Sequence, residues 1–418
     1  MTKTKDIPVW FNILDYDWQK KRAIVIGAGI AGCQMSWHLA QAGWNITLIE
    51  RNKTIANEAS GNPAGVISPK MTSKPSIGED FYTQSFQYTL DQLSLLKKQG
   101  LEWHGCGLLQ LTHNQREEKR WQQLKERDFK EDFLQLLDED ETSKVANIPL
   151  PYKASYFPQA GWIDPAHFCE SLSSHRNCNL LKETNALHIE KQEDLWHVFD
   201  TRGQSIAHAE IVIIANGKDL TQFTQTSDLP SMPVAGQTTL GTASIESTKL
   251  KAVIGHEGYL TPADIHSKKH TFGATFDRNN DQSTITPEAD TDNLEQLTQY
   301  LPEFAESLTA TESAHAAVRL TTPDRFPYAG AIPDWDFYRE HYDDLHHGKK
   351  WKEYPKAEYQ RGLFVLAGFG SRGLTTSGYC SKLLTQLIEN KPISNQEGTI
   401  LENLHPARYL IKQLKKGL

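Results

Sequence analysis

The sequence is poor in cysteine, in long apolar runs and in net positive charge, and each shortage excludes a class of protein. Its five cysteines form no CxxC pair, so we expect neither a disulfide framework nor a metal site, and a reducing, cytoplasmic location. No apolar run reaches the roughly 20 residues of a membrane helix, and the first residues show no secretory signal. The net charge of −8 argues mildly against indiscriminate nucleic-acid binding.

A glycine-rich turn follows the first apolar run of the chain. The run AIVIGAGIAG places Gly27, Gly29 and Gly32 in a GxGxxG pattern, and Glu50 closes the next apolar run. Such glycines allow a tight strand-to-helix turn, close approach of a pyrophosphate and close helix packing, while the acid accepts hydrogen bonds from a ribose. A helix over 33–42 would direct its N-terminus at the phosphates. The pattern predicts a dinucleotide site.

Other segments predict that the chain is α/β. Apolar recurrence predicts a helix over 81–99, and the charged segment 114–144 is expected to be mostly helical. The continuous apolar run that begins IVII, at 211–217, is typical of a parallel strand that is buried on both faces. Alternating and β-branched residues at 231–280 predict antiparallel sheet. The small and turn-forming residues of 57–70 predict a loop that crosses the cofactor.

A second strand, glycine loop and helix are predicted at 363–367, 368–373 and 374–389. A simple NAD dehydrogenase has no evident need for this second unit, whereas a flavin lying across the molecule does. The loop would direct backbone N–H groups at the N1–C2=O edge of the isoalloxazine and stabilise negative charge on the reduced ring. A loop that serves only packing is the alternative.

Six longer segments carry a family resemblance. They are EASGNPAGVISPK (58–70), ANGKDLTQFTQTSDLP (215–230), GYLTPADIHSKKHTFGATF (258–276), VRLTTPDRFPYAGAIPD (318–334), GFGSRGLTTSG (368–378) and HPARYLIKQLKKG (405–417). With them the chain resembles the D-amino-acid-oxidase and glycine-oxidase superfamily. Within it, the chain is similar to the C-terminal oxidase half of the bifunctional enzyme that makes 5-methylaminomethyl-2-thiouridine in tRNA. The resemblance covers nearly everything from about residue 20 onward.

The resemblance implies an α/β fold in which a Rossmann-like FAD-binding domain of the D-amino-acid-oxidase type is interleaved with an α+β substrate domain built on an antiparallel sheet. FAD is expected to be non-covalent, because 313–323 lacks the cysteine that tethers flavin in some sarcosine-oxidising relatives. The expected division is an N-terminal extension (1–22), the FAD-binding domain (23–80, 150–230 and 316–418) and the substrate domain (81–149 and 231–315).

The implied reaction is FAD-dependent oxidation of 5-carboxymethylaminomethyl-(2-thio)uridine at the wobble position of tRNA. A hydride leaves the glycine-like methylene for the flavin, and the imine hydrolyses to glyoxylate and the 5-aminomethyl nucleoside. The amine has to be neutral when the hydride leaves, and the carboxylate has to be anchored so that the methylene is correctly placed.

Three residues are the expected catalytic set. By the resemblance, Arg319 grips the substrate carboxylate, for which a planar guanidinium is suited, and pairing with Asp324 or another buried acid is the structural alternative. Tyr259 would hydrogen-bond the same carboxylate or cap the pocket, and plain sheet packing is the alternative. Lys70 would lie near flavin N5, or else face tRNA phosphate.

The expected cofactor-binding residues come from the two glycine loops and the segment between them. They are Gly27, Ala28, Gly29, Ile30, Gly32, Glu50, Arg51, Ser60, Gly61, Asn62, Gly370, Ser371, Arg372, Gly373 and Leu374.

The expected partner is the anticodon arm of tRNA. Basic residues of the C-terminal segment and around Trp351 would contact its phosphates; they are Arg408, Lys412, Lys415 and Lys416, and Lys349, Lys350 and Lys352. The bifunctional family carries a methyltransferase ahead of its oxidase, whereas this sequence reaches the flavin strand by residue 23. We therefore expect oxidation without methylation. Either a separate S-adenosylmethionine-dependent methyltransferase completes the pathway, or the pathway stops at aminomethyluridine. An oxidase of free glycine, sarcosine or D-amino acids, and a non-catalytic flavin-containing module that binds tRNA, remain open alternatives.

Overall fold

The computed structural model describes residues 7–12, 15–278, 280–348 and 351–418. The strands in these residues are, in chain order, β1 (Arg22–Ile26), β2 (Asn45–Ile49), β3 (Gly65–Ile67), β4 (Leu108–Leu111), β5 (Gln135–Leu137), β6 (Ala154–Phe157), β7 (Gly161–Ile163), β8 (Cys178–Leu181), β9 (His188–Gln192), β10 (Leu195–Phe199), β11 (Ser205–Ala209), β12 (Ile211–Ile214), β13 (Met232–Thr242), β14 (Val253–Gly255), β15 (Tyr259–Leu260), β16 (Lys269–Gly273), β17 (Ala310–Thr321), β18 (Tyr328–Pro333) and β19 (Tyr359–Ala367).

The α-helices of the described residues are α1 (Ile30–Gln41), α2 (Ile77–Lys97), α3 (Gln115–Lys125), α4 (Glu139–Ala146), α5 (Pro165–Ser173), α6 (Pro287–Tyr300), α7 (Pro302–Ser307), α8 (Trp335–His341), α9 (Gly373–Ile388), α10 (Asn395–Leu404) and α11 (Arg408–Leu414). Short 3₁₀ helices lie at Val9–Phe11, Gly217–Gln222, Thr224–Thr226, Ser247–Lys249, Leu345–His347 and Gly370–Arg372. Every helix in this part of the chain is too short or too polar to cross a bilayer.

A mainly parallel sheet forms one half of the molecule, in the order β18-β19-β12-β1-β2-β8. All neighbours pair in parallel except β18, which runs antiparallel to β19. The predicted strand at 211–217 is observed as β12, and its four residues are fully buried. Ile211 and Ile213 join the core beneath α1 and α9, whereas Val212 and Ile214 join the core beneath the β11-β10-β9 sheet. The strand is apolar throughout because both of its faces are covered.

An eight-stranded sheet forms the other half, in the order β17-β13-β16-β15-β14-β4-β6-β5. Its pairs are antiparallel except that of β14 with β4. The antiparallel sheet predicted for 231–280 is therefore observed. A separate two-stranded ribbon of β3 and β7 carries part of the segment that follows Glu50.

Several elements depart from the sequence-based boundaries. β6 pairs within the eight-stranded sheet although 150–230 was expected in the FAD-binding part, and β17 runs across the expected boundary at 316. Helix α2 was expected in the substrate part, but it packs on α9 and adds Phe81 and Phe86 to the core beneath the parallel sheet. Apolar periodicity predicts a buried helix face without showing which element covers it.

The predicted helices also begin and end differently. α1 begins at Ile30, three residues before the predicted start, and α2 begins after Ser76, whose side chain accepts the Glu79 N–H. The segment 114–144 divides into α3 and α4 with β5 between them. The reason is local, because Asn114 and Asp138 each cap a new helix, the latter in a capping box.

The described part of the N-terminal extension packs against C-terminal elements. The Trp10 ring contacts Tyr342 and Tyr354 edge-on, and the Tyr338 hydroxyl donates to the Trp10 carbonyl at 2.6 Å. Further along, the Trp18 indole donates to the Ile388 carbonyl at the end of α9 at 2.8 Å. These contacts join the two ends of the described chain.

Candidate functional site

The first glycine turn leaves no space for side chains. Gly27 has φ +100°, and a Cβ there would lie 2.6 Å from the Ala215 carbonyl oxygen at the end of β12. A Cβ on Gly32 would lie 1.8 Å from the Gly27 carbonyl oxygen. Backbone therefore contacts backbone at both positions, which brings the start of α1 close to the carboxyl ends of β1 and β12.

The N-terminus of α1 presents hydrogen-bond donors at this turn. The Ile30 N–H donates to the Ser60 hydroxyl at 3.0 Å, so the segment after Glu50 caps the helix. Within the described residues, the N–H groups of Gly29 and Ala31 have no acceptor. Free N–H groups at a helix start suit a phosphate, and this observation supports the fit of a dinucleotide.

Glu50 and Arg51 border the same turn. Glu50 is buried, 6% exposed; one carboxylate oxygen accepts the Ala28 N–H, and the other accepts the backbone and side-chain N–H groups of Asn52. The oxygen bonded to Ala28 retains capacity for one more donor, such as a ribose hydroxyl. Arg51 is committed to two acids, Glu58 and Asp219, which places it at the rim rather than free for the cofactor.

The second glycine loop faces the first. Gly368 and Gly370 adopt positive φ values of +81° and +55°, and α9 begins at Gly373. A Cβ on Gly373 would lie 3.2 Å from the Ile30 side chain, so the starts of α1 and α9 are in contact. Leu374 lies over Gly65 of β3. Two helix N-termini therefore open towards one space, as the sequence predicts for a flavin.

The segment 58–70 joins the two halves of the molecule. Gly61 lies against the His315 ring of β17, and the His315 Nε2 is 2.7 Å from the Glu58 carbonyl oxygen. Asn62 donates to the Tyr259 hydroxyl at 2.7 Å and to the Ala64 carbonyl at 3.1 Å. Its own Oδ1 is buried without a partner in the described residues.

Tyr259 is fully engaged by this segment. Its hydroxyl accepts from Asn62 and donates to the Ala64 carbonyl at 3.0 Å. Burial raises the pKa of the phenol, and the hydrogen bond from Asn62 and the Arg319 charge act in the opposite direction. The phenolic proton is thus used to hold the segment 58–70 on the eight-stranded sheet.

Arg319 projects from β17 over Gly236 of β13. An ideal Cβ on Gly236 would lie 2.8 Å and 3.1 Å from the two Nη atoms and 2.4 Å from the Thr275 carbonyl oxygen, so the guanidinium and that carbonyl both pack on the glycine. The alternative that Arg319 pairs with Asp324 is wrong, because Asp324 pairs with Arg408 at 2.9 and 3.0 Å. In the part of the chain that the structure describes, the Arg319 guanidinium has neither a hydrogen bond nor an ion pair, and burial lowers its pKa.

Arg372 and Lys70 lie at the C-terminal end of the segment 58–70, Arg372 in the cavity lining and Lys70 outside it. Arg372 Nη1 donates to the Ser68 carbonyl and hydroxyl at 3.2 and 3.1 Å. Lys70 does not line the cavity; its Nζ lies 5.0 Å from the centre of the Tyr82 ring. Burial lowers the pKa of Lys70 to about 8, with further lowering by nearby arginines. Lys70 therefore lies outside the lining of the cavity in which the two glycine loops meet.

One cavity of about 530 Å³ joins these elements. The predicted residues that line it are Gly27, Gly29, Ile30, Glu50, Arg51, Ser60, Asn62, Tyr259, Arg319, Gly370, Ser371, Arg372, Gly373 and Leu374. Three further predicted residues, Ala28, Gly32 and Gly61, do not line the cavity. They support the residues that do, through a backbone hydrogen bond or close packing. The cavity therefore brings together both glycine loops and the Arg319 face.

Sequence reasoning missed other lining residues. Ala215 to Lys218 follow β12, and the carboxyl end of a parallel strand beside β1 was a usable signal. No local pattern marks Gln110, His256 or Phe276. The pairing of β4 with β14 places Gln110 opposite Gly255, next to His256, and the bridge of Asp277 to Ala235 positions Phe276. The His256 Nδ1 accepts the Gly258 N–H, its Nε2 is buried without a partner in the described residues, and burial lowers its pKa to about 4.

The predicted basic surfaces are only partly observed. Arg408 is buried in its ion pair, and Lys352 pairs with Asp344. Lys349 and Lys350 lie outside the described residues, and Trp351 is exposed. Lys412, Lys415 and Lys416 line a surface groove of about 500 Å³ beside α11.

Another basic cluster lies around Lys70. Arg116 and Arg325 are exposed, lower the pKa of Lys70 and have no ion pair among the described residues, as is true of Lys70 itself. The Tyr82 hydroxyl beneath Lys70 donates to the Arg325 carbonyl at 3.1 Å, which connects the two sides of the cluster. We call Lys70, Arg116 and Arg325 the Lys70 cluster.

The fold and the cavity define a dinucleotide-binding oxidoreductase of the flavin type. The profile of the family described as FAD dependent oxidoreductase matches residues 22–387, and the chain belongs to this family. The predicted fold class and the FAD cofactor are thereby confirmed. Among the described residues, no cluster of three or more His, Cys, Asp or Glu side chains could hold a metal ion.

Curated relatives extend the similarity. The chain is 33% identical over 406 residues to the tRNA 5-methylaminomethyl-2-thiouridine biosynthesis bifunctional protein MnmC of Pseudomonas syringae pv. syringae, covering 95% of this chain and 60% of that protein. It is 32% identical over 412 residues to the protein of the same name from Chromobacterium violaceum, covering 97% and 62%. The predicted resemblance is confirmed, and the chain spans about 60% of the length of these relatives.

Solved structures share the fold. Glycine oxidase from Geobacillus kaustophilus superposes with a TM-score of 0.71 at 19% identity, covering 90% of this chain and 96% of that one. Iminodiacetate oxidase from Chelativorans sp. BNC1 superposes with a TM-score of 0.70 at 20% identity, covering 92% and 99%.

Proposed function

We propose that this FAD-dependent oxidoreductase oxidises 5-carboxymethylaminomethyl-(2-thio)uridine at the wobble position of tRNA to 5-aminomethyl-(2-thio)uridine, with release of glyoxylate. The observation that carries the proposal is the unpaired guanidinium of Arg319 in the flavin cavity. A partly buried cation without an acidic partner is costly unless a ligand supplies the anion. The names of the curated relatives support a modified uridine of tRNA as the molecule that carries this anion.

The residues suit a glycine-type substituent, –CH₂–NH–CH₂–COO⁻. Arg319 would hold the carboxylate through two hydrogen bonds, which fixes the adjacent methylene. The two glycine loops would hold FAD, which when bound would accept the hydride and with it both electrons of the oxidation. On the substrate the C–H bond of the methylene beside the carboxylate breaks, the nitrogen loses its proton to water and a C=N bond forms between that nitrogen and the methylene carbon. Water adds to the imine carbon, and the bond between that carbon and the nitrogen then breaks, which gives glyoxylate and the primary amine.

The substrates named for two proteins of the same fold share this chemistry. Glycine and iminodiacetate both carry a methylene between an amine and a carboxylate, as the tRNA substituent does. The aminomethyl product is a primary amine, the kind of group that a methyltransferase using S-adenosylmethionine would consume. A tRNA substrate also favours a cytoplasmic location.

We propose that the Lys70 cluster binds phosphates of the anticodon arm. Unpaired cations on a chain of net charge −8 form a local site for a polyanion, and phosphate contacts release counterions. This assignment favours the second of the two roles considered for Lys70. The same proposal includes the lysines of the surface groove beside α11. Asp324 and Phe326 line that groove, so Arg325 of the Lys70 cluster lies next to it in sequence.

The test is anaerobic mixing of the FAD-loaded protein with tRNA that carries carboxymethylaminomethyluridine, followed at the flavin absorbance near 450 nm. Glycine, sarcosine and the same tRNA without the modification are the parallel samples. We expect rapid bleaching by the modified tRNA alone, with glyoxylate and aminomethyluridine as products. Bleaching by the free amino acids but not by tRNA would contradict the proposal and indicate an ordinary amine oxidase.

A further inference from the structure

Phe276 is an exposed aromatic side chain at the cavity that contains Arg319. It is 51% exposed and lines the cavity together with Tyr259. The other exposed large apolar side chains of the described chain do not line this cavity; they are Leu95, Leu187, Met232, Ile245, Ile265, Ile285, Trp351 and Leu418. Phe276 is therefore the one exposed large apolar side chain of the described residues that a ligand in this cavity can contact.

The backbone on both sides of Phe276 is fixed. Asp277 and Ala235 exchange two backbone hydrogen bonds of 2.9 Å each, and the Thr275 N–H donates to the Gln237 carbonyl at 3.1 Å. The Thr275 hydroxyl also accepts the Gln237 N–H at 2.9 Å. The ring is therefore presented by an anchored segment, so that ordering it on binding costs little conformational entropy.

The anchoring strand is the one beneath Arg319. An ideal Cβ on Gly236 would lie 2.4 Å from the Thr275 carbonyl oxygen and 2.8 Å from the nearer Nη of Arg319. The residue before Phe276 and the guanidinium thus lie against the same point of β13. Arg319 and Phe276 line the same cavity, so a ligand whose carboxylate is held by Arg319 has the Phe276 ring within reach of its other end.

Arg278 places a positive charge beside the aromatic ring of Phe276. Its guanidinium carbon lies 5.6 Å from the centre of the Phe276 ring, and both side chains are exposed. Arg278 has no ion pair among the described residues. Aromatic rings and guanidinium planes are the surfaces on which unpaired nucleobases stack in single-stranded nucleic acids.

We propose that Phe276, supported by Arg278, is the stacking platform for the uracil ring of the target nucleotide. The proposal rests on the proposed function, because it needs the carboxylate of the wobble substituent to be bound by Arg319. The substituent enters the cavity, and the base remains at its mouth against the Phe276 face. Stacking does not discriminate between bases, so the residues of the cavity determine the specificity for the substituent.

The test compares four variants, each loaded with FAD: Phe276→Ala, Phe276→Leu, Phe276→Trp and, as the matched exposed control away from the cavity, Ile265→Ala. Anaerobic flavin reduction is measured over a range of concentrations of the modified tRNA. We expect the tRNA concentration for half-maximal rate to rise about tenfold in the Ala and Leu variants, and to stay within about twofold in the Trp variant and the control. The limiting rate at saturating tRNA should change little, because it reports the chemistry at Arg319.

A second readout is direct. Tryptophan at position 276 should lose fluorescence when the modified tRNA binds, in the difference spectrum against wild-type protein. Equal behaviour of the Leu and Trp variants would overturn stacking in favour of simple apolar contact, and a fall in the limiting rate alone would make Phe276 part of the catalytic wall. Wild-type protein that the tRNA does not bleach would overturn the proposed function and this inference together. A bleached wild type with unaffected Ala and Leu variants would overturn this inference alone.

Discussion

The two walls of the cavity are built differently. The wall at the glycine loops is made of backbone, where Gly27 and Gly32 touch carbonyl groups and a Cβ has no space. The opposite wall is made of side chains, and the most prominent, Arg319, has no partner among the described residues. The first wall belongs to the fold and the cofactor, whereas Arg319 on the second wall can be replaced without loss of a hydrogen bond or ion pair to the described residues. Substitutions on the two walls should therefore fail in different ways.

The largest effect is expected on the backbone wall, for Gly32→Ala. A Cβ 1.8 Å from the Gly27 carbonyl oxygen forces α1 away from β1 and disrupts the phosphate turn. We expect the protein to lose FAD and about 3 kcal/mol or more of unfolding free energy. Flavin absorbance of the purified protein and denaturant unfolding measure both quantities.

Gly78→Ala is the matched control for that substitution. Gly78 lies in the first turn of α2, and a Cβ there would meet its nearest neighbour at 3.7 Å, an ordinary contact. Alanine favours the helix by roughly 0.5–1 kcal/mol, so this variant should be yellow and slightly more stable than wild type. A yellow Gly32→Ala protein of wild-type stability would mean that the comparison of the two walls is mistaken.

The next effect is on the side-chain wall, for Arg319→Met. The variant should keep FAD, yet lose roughly 10²–10⁴-fold in kcat/KM for the modified tRNA, because two charge-assisted hydrogen bonds of about 1.5–3 kcal/mol each are removed. Its stability should be equal to or above that of wild type, since an unpaired cation leaves a partly buried position. Stopped-flow reduction and thermal unfolding separate the two. An inactive variant that is also colourless would place Arg319 in the fold rather than in substrate binding.

The same contrast explains what the sequence could predict. The GxGxxG turn, the run 211–214 and the second glycine loop are each a single continuous stretch of sequence. Rules based on local sequence therefore identify them and predict that they meet at one cavity. Arg319 was reached through the family resemblance and not through a local rule. Gln110 reaches the cavity through the pairing of β4 with β14, and Phe276 through the bridge of Asp277 to Ala235 of β13; no local pattern encodes either contact.

Charge was the least predictable property. Arg408 was expected to face tRNA, but it is buried against Asp324 and two neighbouring rings, because α11 packs its first turn on the body of the protein. The Lys70 cluster comes from three separate segments, 70, 116 and 325, and becomes a cluster only when α2 places Tyr82 between two of them. A run of basic residues in the sequence is thus a poor predictor of an exposed basic surface, because exposure depends on where each side chain lies in the folded protein.

Tyr259→Phe sharpens the comparison from within the side-chain wall. The hydroxyl bonds to Asn62 and Ala64, so its loss should destabilise the protein by about 1–2 kcal/mol and lower kcat/KM less than tenfold. Denaturant unfolding and steady-state rates with the modified tRNA measure this. Asn62→Ala, combined with Tyr259→Phe, should show coupling of about 1 kcal/mol in a double-mutant cycle. A loss of 10³-fold in rate would instead restore the direct catalytic role considered for Tyr259.

The smallest effect is expected outside both walls, at Lys70. Its pKa is lowered to about 8, so the free side chain is charged below pH 8 and loses its charge as the pH rises through that value. A bound phosphate favours the charged form, and tRNA affinity should therefore be highest below pH 8 and fall a few-fold between pH 7 and 9. Lys70→Met should remove this pH dependence and reduce the slope of log affinity against log salt by about one.

Lys97→Met, near the opposite end of α2, is the control, since 15 helical residues separate it from Tyr82 by about 22 Å. Identical pH and salt profiles for wild type and Lys70→Met would move the phosphate contacts away from this cluster and back to the lysines beside α11.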